Sequence, residues 1–284
     1  MSILFDIPTT SPPPMDVVLR GIDVGLMAAR PVLPAAGAWP DGTTSLHLPR
    51  CSTRATELTW RAGSFTVKVF SLASESDWKL ALRLVENVGH WAAVAIDCDT
   101  FNTMTADELC QGIPGDTWRT QAKSGIRAVS ALIHEGRGPI EIPGPVRSFY
   151  VGPRMLDTLH GSDDEETVSR WMAAMLRLQY FGLDDDREHF AGLFEAQRPG
   201  GGESFQFVIW TPNLTCGLPA VPLVAIGGED ENDNDVIFVP ADAVQSLAEG
   251  QWDWLDEKQR VVFGFDEARW PELRRKARRF ATKP

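Results

Sequence analysis

The sequence predicts an α+β fold, with a mixed or mainly antiparallel sheet and helices packed on one side. Three observations carry that prediction. Strand-like alternation recurs, as in Phe65-Thr-Val-Lys-Val-Phe70. Amphipathic stretches of helical period alternate with it, as in Trp78, Ala81, Leu82, Val85 and Val88. Pro- and Gly-rich connectors keep the elements short.

Residues 1–50 are the exception to this patterning. Pro12, Pro13, Pro14, Pro31, Pro34, Pro40 and Pro49 rule out a long helix or a central strand there. They predict an irregular arm, with short extended pieces near Val17–Leu19.

A first α+β lobe is expected over 51–137. Its strand at 65–70 leads into a helix opened by Ser74 and Asp77 and stopped at Gly89. The apolar run Trp91-Ala-Ala-Val-Ala-Ile96 has strand length. Thr105 with Glu108 opens a short helix. Trp118, Ala122, Ile126, Val129 and Ile133 mark a longer one, ending near Gly136.

A second lobe with a basic C-terminal helix is expected over 138–284. Ser148-Phe-Tyr-Val151 predicts a strand, and Ser162 with Glu165 a capping box. Val168, Trp171, Met172, Met175 and Leu178 make the buried stripe of the following helix. Three further strands cover 205–210, 222–226 and 235–239. A short helix covers 241–249, and Pro271 opens a final helix with Leu273, Ala277 and Phe280 inward. The stretches WKLALRLVENVG and WMAAMLRLQYFG share Trp, Ala and Gly at matching places, each after a Ser-Phe-x-Val-type strand. Two related lobes would produce that pattern, and so would a single domain with two amphipathic helices.

Composition narrows the function. With 43% hydrophobic and 23% charged residues, the 284-residue chain suits a folded globular protein. Its net charge of −12 counts against nucleic acid as a partner, because phosphate binding rests on Lys and Arg. No apolar run reaches the roughly 18 residues of a membrane helix. The N-terminus lacks the basic and apolar regions of a signal peptide. Cys51, Cys98, Cys110 and Cys216 fit neither zinc spacing nor a disulfide scaffold. A cytoplasmic location follows as an expectation.

Catalytic motifs are missing. The sequence has neither a phosphate-binding glycine loop nor a G-x-S-x-G elbow. Cys216, in Thr215-Cys-Gly-Leu-Pro219, could meet His134 or His160 in space, but any chain with five His offers such pairs. Glu229-Asp-Glu-Asn-Asp-Asn-Asp235 is oxygen-rich yet fails as a calcium loop, because Asp235 and Ala241 fall where Gly and Glu are required. No cofactor and no metal site are expected.

Charge is unevenly placed. The last 19 residues carry +4, which leaves −16 on the rest. Acidic runs stand at Asp163, Asp164, Glu165 and Glu166, at 184–186, and at Glu229, Asp230, Glu231, Asp233 and Asp235. Trp252 and Trp254 alternate in a polar setting and are candidate surface anchors. Together these residues predict a non-catalytic, acidic protein that binds a basic protein, in its most concrete form a bacterial immunity-type protein that neutralises a toxin or effector. The rival expectation is a metal- or carboxylate-dependent hydrolase or transferase with a site near Asp97 and the acidic loops.

Overall fold

The computed structural model describes residues 2–61, 63–183, 186–198, 203–227, 236–266 and 268–283. It divides the chain into two compact units, 1–179 and 180–284.

The first unit runs β1 (Ser2–Pro8), α1 (Met15–Val18), β2 (Ala28–Arg30), β3 (Gly42–His47), β4 (Thr56–Arg61), β5 (Ser64–Phe70), α2 (Glu75–Ala92), β6 (Asp97–Cys98) and α3 (Ala106–Gly112). It continues with α4 (Thr117–His134), β7 (Ile140–Ile142), β8 (Phe149–Val151), α5 (Pro153–Leu159) and α6 (Asp164–Tyr180), the last residue of which falls in the second unit. A six-stranded sheet has the order β2-β3-β4-β5-β1-β6, and every neighbouring pair is antiparallel. β7 and β8 form a separate antiparallel pair.

The alternation in β5 does what period two requires. Phe65, Val67 and Val69 point into the core, and Thr66, Lys68 and Phe70 point out. α2 lays Trp78, Ala81, Leu84, Val85 and Val88 on that apolar face. Its N-terminus is closed reciprocally: Ser74 accepts the Asp77 backbone N–H, and Asp77 accepts that of Ser74.

Three expectations for this unit are corrected. β1 is a central strand, not part of an arm: Ile3, Phe5 and Ile7 are buried between β5 and β6. Val17 and Val18 are helical, in α1. The run from Trp91 is not a strand. α2 passes through Gly89 to Ala92 and closes at Ala93 in the left-handed region, with φ 52°. Gly89 serves packing instead, since a Cβ there would lie 2.8 Å from Ile96 Cδ1 and 3.2 Å from Ala106 Cβ.

The capping box of α6 is displaced by one residue. Asp163 accepts the backbone N–H of Glu166, and Glu166 reaches back to the N–H of Ser162. Val168, Trp171, Met172, Met175 and Leu178 are buried as the spacing predicts.

The second unit runs β9 (Glu188–Phe190), β10 (Leu193–Gln197), β11 (Ser204–Trp210), β12 (Thr215–Leu218), β13 (Leu223–Ile226), β14 (Ile237–Pro240), α7 (Ala243–Leu247), β15 (Trp252–Trp254), β16 (Arg260–Val262) and α8 (Trp270–Ala277). One sheet has the order β10-β11-β13-β14 and the other β15-β16-β12-β9. Each contains one parallel pair, β11 with β13 and β12 with β9. The sheets are thus mixed or antiparallel, as an α+β fold requires. Val208, Trp210, Val224, Ile226, Ile237 and Val239 face a core closed by Val244 and Leu247 of α7 and by Trp270, Leu273 and Ala277 of α8. Phe280 does not join them, being 40% exposed. No helix among the described residues is long and apolar enough to cross a membrane.

Candidate protein interface

The acidic run at 163–166 is engaged within its own unit. α4 presents Arg119, Lys123 and Arg127 at four-residue spacing, one stripe of a helix. Arg119 pairs with Glu165 at 3.3 Å, Lys123 with the same carboxylate, and Arg127 with Asp164 at 2.9 Å. Glu166 pairs with Arg170 at 2.7 Å. The Ser162 backbone N–H and then Arg170 hold the Glu166 carboxyl down to about 2. These are exposed pairs of small individual worth. Even so, the four carboxylates already have cationic or capping partners, which weakens their case as a free partner surface.

The second acidic run, Glu229, Asp230, Glu231, Asp233 and Asp235, lies outside the described residues. It connects β13 to β14, whose ends Ile226 and Ile237 are paired.

Trp252 and Trp254 share one face of β15 and meet edge to face, with centroids 5.3 Å apart. Both are half-buried. Trp252 packs on the core. The Arg260 guanidinium lies 4.7 Å from the Trp254 ring centroid and is anchored by the Ala241 carbonyl and by Asp242 at 2.9 Å. Trp254 borders a cavity of about 330 Å³ walled by Pro219, Pro222, Ala241, Asp242 and Arg260.

The more prominent feature of this unit was not anticipated. The face of the β10-β11-β13-β14 sheet opposite α7 and α8 carries Phe194, Phe205, Phe207 and Phe238. Phe207 contacts the other three, with centroids at 5.6 Å to Phe194, 5.6 Å to Phe205 and 5.3 Å to Phe238. Register explains the cluster: Phe194 is opposite Phe207, Phe207 opposite Leu223, and Phe238 opposite Ala225. Phe194 is 45% exposed, and Phe205, Phe207 and Phe238 are partly so. The signal lay in the period-two spacing of Phe205 and Phe207, hidden because Val208 and Trp210 make both sides of the strand apolar.

Part of the positive charge of the C-terminus pairs within its own unit. Lys276 of α8 pairs with Glu249 and with Glu272 at 3.1 Å, and Arg269 reaches Glu249 at 3.8 Å. Residues 180–265 hold 16 acidic and four basic side chains, a net of −12.

Chemistry finds less support. Asp97 is exposed and accepts a hydrogen bond from the Thr103 hydroxyl at 2.8 Å. Among the described residues, no three His, Cys, Asp or Glu side chains converge as a metal site would need. Cys216 is not in a turn but inside β12, and burial pushes its thiol up to about 12. Such a thiol is almost wholly protonated at neutral pH and is a poor nucleophile.

No protein-family model matches the chain, and neither a curated protein nor a solved structure matches it.

Proposed function

We propose that the chain is a non-catalytic protein-binding protein of the cytoplasm, with a basic protein as its partner. The observation that carries the reading is the open aromatic sheet face of the second unit. Sheets in small proteins bury one apolar face and wet the other. Here the outward face is phenylalanine, and aromatic clusters left exposed on a soluble unit mark contact surfaces. The acidic excess of residues 180–265 supplies the sign of the partner. Aromatic anchors would hold the complex while charge speeds its formation.

In its most concrete form the partner is a basic toxin or effector, and the chain is an immunity-type protein that covers it. That form expects the toxin gene beside the gene for this chain. The test is co-purification of the two products. Retention should weaken at least tenfold between about 0.05 M and about 0.5 M salt, because screening shortens the reach of surface charge. Charge reversal across Glu229–Asp235 should weaken it as well. Binding indifferent to both salt and charge reversal would refute the charge argument, and no binding would refute the reading itself.

A further inference from the structure

We infer that β10 accepts an extended strand from the basic partner, which joins the sheet beside Leu193–Gln197 and rests on the aromatic face. The inference rests on the protein-binding reading and specifies how the partner is held. β10 is an edge strand: β11 pairs with one side of it from Leu193 to Gln197, and no described strand pairs with the other. Leu193, Phe194, Glu195 and Gln197 are exposed, as an edge open to a new neighbour requires.

Natural edge strands are guarded by Lys, Pro, bulges or a covering segment. The opposite edge of this sheet has such guards. Pro240 ends β14, and the Thr282 backbone N–H donates to the Phe238 carbonyl at 2.9 Å. β10 contains neither Lys nor Pro, and among the described residues no segment pairs with its outer side; its one charge is Glu195, which a basic strand would meet favourably. The β10 sequence is Leu-Phe-Glu-Ala-Gln, with Leu193 56% and Phe194 45% exposed.

Charge decides which strand this is. A second copy would bring a unit of net charge −8 (residues 180–284) against the first, beginning with Glu195 against its like. A basic strand has no such penalty. Alternation fixes its pattern: residues beside Phe194 and Ala196 should be apolar, and residues on the other face, beside Glu195, should be Lys or Arg. Such strand addition takes affinity from main-chain bonds and specificity from alternate side chains.

The test uses the full chain and two labelled nine-residue peptides of equal charge, alternating Lys-Val and the same sequence N-methylated at every residue. The methylated backbone has no donor on either edge, so only the unmethylated peptide can extend the sheet. Anisotropy at low salt should show the unmethylated peptide binding at least tenfold more tightly. Amide hydrogen exchange over 193–197 should slow at least tenfold in its presence. The exposed substitution Glu195→Lys should weaken binding at least tenfold while the circular dichroism stays unchanged. Equal binding of the two peptides would overturn the inference. So would protection of 193–197 in a self-dimer seen by sedimentation. A partner that binds and is lost on Phe207→Ser, while exchange at 193–197 stays unchanged, would overturn strand addition and leave the protein-binding reading standing.

Discussion

Glu166 accepts the backbone N–H of Ser162 at 2.6 Å, from a carboxylate that also pairs with Arg170. The pair fixes the start of α6, where an acidic run had looked like a binding surface. It also makes a pH prediction. The folded carboxyl is held at about 2 against an ordinary 4.5. A depressed carboxyl contributes stability above its unfolded value and loses it as pH falls through the folded one. The urea midpoint should therefore drop between about pH 4.5 and about pH 2, and Glu166→Gln should flatten that part of the drop.

Charge reversal at Glu165 separates the two roles considered for this run. Glu165→Lys places a cation beside Arg119 and Lys123 and should cost about 1 kcal/mol at low salt. Partner binding should not change. A binding defect without a stability defect would return the run to the interface.

Asp77 is a structural carboxylate. It is buried, and desolvation raises its pKa, yet one oxygen collects the backbone N–H groups of Thr53, Arg54 and Ser74 at 3.1, 3.2 and 2.8 Å. Asp77→Ala orphans those donors and should cost at least about 3 kcal/mol in urea denaturation. Asp77→Asn keeps an acceptor and should cost about 1 kcal/mol.

Thiol reactivity should follow burial. Cys51 is exposed and Cys216 fully buried. A thiol reagent should label Cys51 in the native protein and Cys216 only after unfolding, with peptide mapping as the readout. Native labelling of Cys216 would reopen the nucleophile reading.

The aromatic face should behave as surface, not core. Phe207→Ser removes ring contacts worth about 0.5–1.5 kcal/mol each and should lower stability by about 2 kcal/mol. A loss above about 4 kcal/mol would mark the ring as core and remove the argument for an interface there.

Much of the fold was legible because apolar period is a direct consequence of one-sided burial. α2, α4 and α6 follow their stripes, and β5 its alternation. β1 alternates at Ile3, Phe5 and Ile7, but the prolines from Pro8 onward give residues 1–50 the pattern of an irregular arm. The extension of α2 past Gly89 was hidden because the glycine makes room for Ile96 and Ala106, contacts that local sequence does not encode. The candidate site was the least legible part. Asp164 and Glu165 find Arg127, Arg119 and Lys123 some 37–46 residues away. The Phe cluster needs a strand order that joins β10, β11, β13 and β14.

The most direct measurement is capture of the partner on the immobilised full chain and on its folded Phe194→Asp, Phe207→Ser variant, with mass spectrometry of what each retains. The native chain should hold one basic polypeptide at about 0.05 M salt and release it at about 0.5 M, and the variant should not hold it. Equal retention by both chains, or none by the native chain, would contradict the proposed interface.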